Sequence, residues 1–261
     1  MGLHLIPAGD ADASGLPLLL VHGWCCDGRA MRPVAGAFPD RRSLLVDLPG
    51  HGASPPMSPL SIPAMANAVL EVAPPRFIAV GHSMGGQVAL AMAARARGRV
   101  AGVVLLDPAH LLAGEKAMAA GEAMKKNLER HDPAEVVRAF AAGQLAGPLT
   151  GDTARAFDDL VEAMARTPAQ VAREAWAAIL AWNGAGGAAD ALASLDVPAL
   201  VIAIDRPVNR LADLARASNR VMTGQVVGAG HMLQFEAMDQ IAPMIRRWIE
   251  CERLESAGSA R

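Results

Sequence analysis

The chain has 261 residues, 52% hydrophobic and 19% charged, and its 24 Lys and Arg nearly balance 26 Asp and Glu for a formal charge of −2. That apolar share supplies a sizeable core and excludes general disorder, and the length fits one domain, or one domain carrying an insertion. The near-neutral balance, with no block of like charge, excludes a surface of the kind that displaces phosphate counterions, so no nucleic-acid partner is expected.

Residues 18–22 form the first strand-like apolar run, which ends at Gly23, and a helical stretch follows at 28–37. A second run, 43–47, leads into Pro49-Gly50, and 61–72 is helical. Runs at 77–80 and 103–106, closing on Gly81 and on Asp107-Pro108, flank a third helical stretch at 84–97. Runs that are apolar on successive residues suit strands buried on both faces, as in a parallel sheet. From 109 to 190 no such run occurs; Ala, Met, Glu, Lys and Leu dominate, with breaks at Gly121, Pro133, Gly147-Pro148, Pro168 and the glycines of 184–187. Asp132 and Thr167 read as N-caps followed by N1 prolines. Strand character returns at 199–204, Val221 and Val226-Val227, and a last helix is expected at 238–253. The pattern predicts a doubly wound, mostly parallel α/β sheet built from 1–108 and 191–261, with helices of 109–190 inserted into it.

The cysteines Cys25, Cys26 and Cys251 are odd in number, two are adjacent, and none has zinc-site spacing, so a reduced cytoplasmic setting without a metal is expected. Residues 1–15 lack a basic stretch followed by an apolar one, and Ile6 breaks the myristoylation pattern, so neither a signal peptide nor a lipid anchor is expected. No apolar run is long enough to span a bilayer, and no membrane partner is expected. The chain has no tyrosine, which removes any mechanism that needs a phenol.

Three segments carry chemistry. Gly81-His82-Ser83-Met84-Gly85 fits G-x-S-x-G between a strand and a helix. So tight a turn needs flanks without a Cβ. It holds the serine oxygen at an exposed apex, and the helix start brings N–H groups and a positive dipole end to a reacting carbonyl. His82 is expected to project away from the serine. His22-Gly23-Trp24 closes an earlier strand, from where the Trp24 N–H would join the Met84 N–H around an oxyanion. Gly228-Ala-Gly230-His231 is a glycine-rich strand exit late in the chain, which lets an imidazole reach the serine as general base. His51 belongs to a turn, and His4, His110 and His131 read as ordinary loop or solvent residues.

Together with the turn 47–52 and Gly86, these segments resemble the α/β-hydrolase superfamily over nearly the whole chain, and 109–190 is similar to the helical cap of many members. The resemblance implies a serine hydrolase without cofactor, with Ser83 as nucleophile, His231 as base and Trp24 and Met84 as oxyanion donors. Haloalkane dehalogenases and epoxide hydrolases use an aspartate nucleophile, and the latter also cap tyrosines, so both are set aside. The orienting acid departs from the usual pattern, because the loop after 199–204 reads Ile204-Asp205-Arg206-Pro207 without its usual glycine. Asp107, at the end of the run 103–106, and Asp205 both stand for that role.

The expected reaction is acyl-enzyme cleavage of a small, mostly apolar ester, thioester or lactone. His22, Cys25, Met118, Met124, Met164, Trp176 and Trp182 are candidates for the pocket. No fixed cation for an anionic substrate group is identifiable, with Arg29, Lys125 and Lys126 left open. Two other readings stand beside this one. The same constellation can serve acyl transfer, elimination or carbon–carbon cleavage, and some members of the superfamily are non-catalytic receptors, against which intact Ser83 and His231 argue.

Overall fold

A computed structural model describes residues 2–112 and 114–254; Met1, Ala113 and 255–261, which belong to the expected core and insertion segments, lie outside the described residues. Seven strands form one sheet: β1 (Leu5–Ala8), β2 (Leu18–Val21), β3 (Ser43–Val46), β4 (Phe77–His82), β5 (Val100–Leu106), β6 (Ala199–Ala203) and β7 (Val221–Gln225). Their order is β1-β3-β2-β4-β5-β6-β7, and the pairing is parallel except between β1 and β3. Every residue of β2, β3, β4, β5 and β6 is buried, which is why these strands read as unbroken apolar runs.

The two edge strands differ from expectation. The sequence reading contained no β1, whose four residues are mostly half-buried and pair on one side only. At the other edge β7 ends at Gln225, so Val226 and Val227 fall beyond it; Val226 N–H donates to Ala203 O at 2.9 Å, and Val227 is 72% exposed. In β7 a wet face breaks the apolar signal with Thr223 and Gln225, and in β1 Pro7 breaks the strand signal.

Alternation sorts the sheet's side chains into two layers. Leu19, Val21, Val46, Ala79, Val103 and Val201 face one layer; Leu18, Leu20, Leu45, Ile78, Val80 and Val104 face the other. The first layer is covered by α2 (Ile62–Val72) and α3 (Met84–Arg95). The second is covered by a 3-10 turn at Gly28–Met31, α1 (Arg32–Gly36) and the C-terminal helix. Each buried Leu, Ile or Val contributes roughly 1.5–3 kcal/mol, so both layers matter.

Between β5 and β6 lie five helices: α4 (Glu115–Arg130), α5 (Pro133–Ala142), α6 (Gly151–Ala165), α7 (Ala169–Gly184) and α8 (Gly187–Ala193). Asp132 caps α5 as its sequence suggests, accepting from Ala134 N–H at 3.1 Å ahead of Pro133. Thr167 does not cap α7: Pro168 takes the N-cap position, and the Thr167 hydroxyl donates to Cys25 O at 3.0 Å. Gly121 is not a break either. It lies inside α4, where a Cβ would run into Leu180, so it lets α4 and α7 approach closely. After β6 come α9 (Leu211–Ala217), α10 (Leu233–Glu236) and α11 (Met238–Cys251), whose Trp248 packs so near Gly102 that a Cβ there would be 2.7 Å from the indole. Among the described residues no helix is long and apolar enough to cross a membrane.

Candidate active site

Ser83 sits at the junction of β4 and α3 with φ 53° and ψ −118°, a conformation that costs a non-glycine residue about 1–3 kcal/mol. The turn closes because of its glycines. A Cβ at Gly81 would meet the Gly85 carbonyl, and one at Gly85 would meet the carbonyls of Val21 and His22. Ser83 N–H donates to Leu106 O at 3.1 Å, and Ser83 O accepts from Gly86 at 3.0 Å and Ala109 at 3.1 Å, so the apex is pinned to the end of β5. Positive φ also occurs at Cys25 (56°) and Asp107 (36°), beyond the carboxyl ends of β2 and β5. Among the described residues, three of the four non-glycine residues with positive φ thus gather at one end of the sheet's centre.

His231 follows β7 on its glycine-rich exit. Its Nε2 lies 2.9 Å from Ser83 Oγ, and its Nδ1 lies 2.6 Å from Asp107 Oδ2. The imidazole is 18% exposed and the Asp107 side chain 3%. Asp205 is elsewhere, its Oδ2 accepting from Gly228 N–H at 3.4 Å. Gly23 lies against the serine: a Cβ there would be 3.2 Å from Ser83 Cβ, which brings the Gly23-Trp24 backbone alongside Ser83.

The His82 ring lies 4.8 Å from that of His231, and its Nε2–H donates to His231 O at 2.8 Å. Burial, with the neighbouring His231 adding to it, pushes the His82 imidazole down to about 3, so the ring is neutral. Its position one residue before the serine is the only sequence signal of this role. His110, also read as an ordinary loop residue, lines the cavity, and burial lowers its pKa. Asn209 was missed as well: its Oδ1 accepts from Leu111 N–H at 2.7 Å and its Nδ2 donates to Pro108 O at 2.8 Å, which fixes the chain after Asp107.

The serine opens into a cavity of about 220 Å³. Its walls are chiefly apolar: Trp24 and Met232 from the core, Phe140, Met164, Trp176, Ile179 and Leu180 from the inserted helices. Trp24 crosses the seam, its indole donating to Ala172 O at 2.8 Å and stacking edge-on against Trp176 and Phe140. Of the other pocket candidates, Cys26 rather than Cys25 reaches the cavity. His22 is buried beneath it, with Nε2 accepting from Leu48 N–H at 3.0 Å. Met118 lies near Gly184 and Trp182 against Gly187, while Met124 and Lys126 border a surface hollow. Lys125 pairs with Glu122, and Arg29 pairs with Asp27 at 2.6 Å. A larger cleft of about 790 Å³ lies beyond Cys25 and Cys26, but it holds neither Ser83 nor His231. Both thiols are protonated, burial lifting Cys26 to about 12 and Cys25 well above its usual value. Among the described residues no group of three His, Cys, Asp or Glu side chains converges as metal ligands would.

A sequence model of the alpha/beta hydrolase family matches residues 18–244. The chain belongs to this family. Among curated relatives, it is 35% identical over 130 residues to the lipase LipV of Mycobacterium tuberculosis, covering 48% of this chain and 50% of that protein. It is 39% identical over 107 residues to a pimeloyl-acyl-carrier-protein methyl ester esterase of Methylococcus capsulatus, covering 41% of each. The matched segments therefore span half or less of these relatives. In three dimensions it is similar to an esterase from Thermogutta terrifontis, with a TM-score of 0.73 at 23% identity, over 97% of this chain and 94% of that one. That likeness shows a shared alpha/beta hydrolase fold.

Proposed function

We propose that this alpha/beta hydrolase is a serine esterase acting through an acyl-enzyme on a small, mostly apolar ester, thioester or lactone. The observation that carries the reading is the unbroken chain of contacts from Ser83 Oγ through His231 to Asp107, at 2.9 and 2.6 Å. His231 takes the serine proton as Oγ attacks the carbonyl, and Asp107 fixes the tautomer and stabilises the imidazolium. The N–H groups of Trp24 and Met84 receive the oxyanion, Met84 from the start of α3 where the helix dipole adds to the field. The leaving group takes its proton from His231, which then activates water for deacylation. Asp107 rather than Asp205 is the acid in this reading.

The helices α4–α8 act as a cap, and their apolar side chains hold the acyl or alkyl group. Esterase and lipase names among the relatives support ester cleavage. The unpaired cysteines suit a reducing, cytoplasmic setting. The test is labelling with a fluorophosphonate, followed by mass spectrometry of the elbow peptide. The expected result is an adduct on Ser83 that the Ser83→Ala variant lacks; a wild type that stays unlabelled overturns the reading.

A further inference from the structure

We infer that Glu236 is a positioning residue for His231 and that its carboxylate ties the base to the helical insertion. This rests on the reading of His231 as general base. The three residues 230–232 are each held by a different group. Gly230 N–H donates to Glu236 Oε2 at 2.8 Å, His231 O accepts from His82 Nε2–H at 2.8 Å, and Met232 N–H donates to Gln144 O at 3.2 Å. The other oxygen of Glu236 reaches across to the turn between α5 and α6: Oε1 accepts from Ala146 N–H at 2.8 Å and from Gly147 N–H at 3.2 Å. One side chain therefore joins the histidine loop to the insertion. The loops also touch directly, because a Cβ at Gly230 would be 2.8 Å from Ala146 N.

The chemistry of the tie specifies a carboxylate. Both sides present N–H donors, so the bridging group must accept at both ends. A carboxylate does this; a carboxamide of the same shape has one accepting oxygen and would turn an NH₂ group toward a donor. A charged acceptor also makes each bond stronger than a neutral one would. The consequence falls on the base, since displacing a catalytic group by about 1 Å can cost a hundred-fold in rate. With the tie intact, docking of the α5–α6 turn and placement of the His231 ring are linked. With it cut, the backbone at Gly230 loses its hydrogen bond, while His231 O and Met232 N–H keep theirs to His82 and Gln144.

The test compares wild type, Glu236→Gln and Glu236→Ala, with Ser83→Ala and His231→Ala as controls, by fluorophosphonate labelling rate and by kcat and KM on a small activated ester. The expected result is a loss of about ten-fold or more in labelling rate and kcat for both Glu236 variants, with KM within about two-fold of wild type. A residue that only fills space predicts the opposite pattern, with Gln restoring what Ala loses. Glu236→Gln labelling at the wild-type rate overturns this inference alone. A wild type that is unlabelled, or His231→Ala labelling as fast as wild type, overturns the hydrolase reading beneath it. Should the variants not fold, amide exchange in the unaltered protein decides: Gly230 and Ala146 N–H are expected to be protected, and exchange at open-loop rates for either removes the tie.

Discussion

The sheet and the helices inserted into it serve the site in different ways. The central strands are buried along their whole length, and Cys25, Ser83 and Asp107, held at positive φ, lie beyond their carboxyl ends. Such strain persists only where the surroundings over-determine the backbone. The inserted helices are amphipathic and alanine-rich, their outer faces are wet, and they contribute apolar walls such as Phe140, Trp176, Ile179 and Leu180. The contrast teaches a division of labour in the proposed reaction: the groups assigned to the chemistry lie beyond doubly buried strands, while the apolar walls assigned to the substrate lie on helices joined to the core by side-chain packing and a few hydrogen bonds.

The sharpest way to break that comparison is to change the acid on the sheet. Asp107→Asn is expected to lower kcat on an activated ester by on the order of 10⁴-fold, as loss of the orienting carboxylate does in other triads, while Asp205→Asn stays within about two-fold of wild type. Equal mild losses would place the orienting acid on neither strand end.

The second effect is on acid stability. His82 and His51 have folded pKa values lowered to about 3 from 6.5 by burial, so the unfolded chain binds protons that the folded one refuses. Their contribution is intact above pH 6.5 and is lost as pH falls toward 3, at up to about 1.4 kcal/mol per pH unit for each histidine. Chemical denaturation between pH 7 and 4 should therefore show a steep loss, shallower in His51→Gln; an unchanged slope would mean that His51 is not kept neutral.

Changes on the insertion sharpen the comparison from the other side. Trp176 donates to Gly121 O at 2.9 Å and walls the cavity, so Trp176→Ala should raise KM for short esters about ten-fold and change kcat far less, shifting preference toward bulkier acyl groups. A fall in kcat with unchanged KM would show that the helix holds the reacting groups instead. The smallest effect belongs to the exposed Arg138–Glu162 pair, which joins α5 to α6 at 3.0 Å. Arg138→Ala should leave the melting temperature within the scatter of replicate scans, because solvent screens exposed ion pairs.

The sequence reading succeeded where the signal is local. Five central strands, α2, α3 and the C-terminal helix were legible because a doubly buried strand and an amphipathic helix each write their own period into the chain. The serine elbow was legible for the same reason, since its glycines and its strand-to-helix context lie within a few residues. Edge strand β1 was not, because Leu5-Ile6-Pro7-Ala8 is only four residues long and its proline argues against a strand interior. Thr167 and Gly121 misled for a related reason: each has a turn residue's composition, but its actual partner, Cys25 O or Leu180, is distant in sequence.

The amino-acid order alone singled out the candidates: a serine between glycines, a histidine after a glycine-rich exit, and two aspartates for one post. Only the tertiary structure set those aspartates apart, because they follow neighbouring strands and the His231 imidazole faces Asp107, not Asp205. It also decided that His82 lies against the His231 ring, that Glu236 spans two loops, and that Trp176 rather than Met118 meets the cavity. These are contacts across the fold, set by how the sheet and the helices pack, and no local periodicity encodes them.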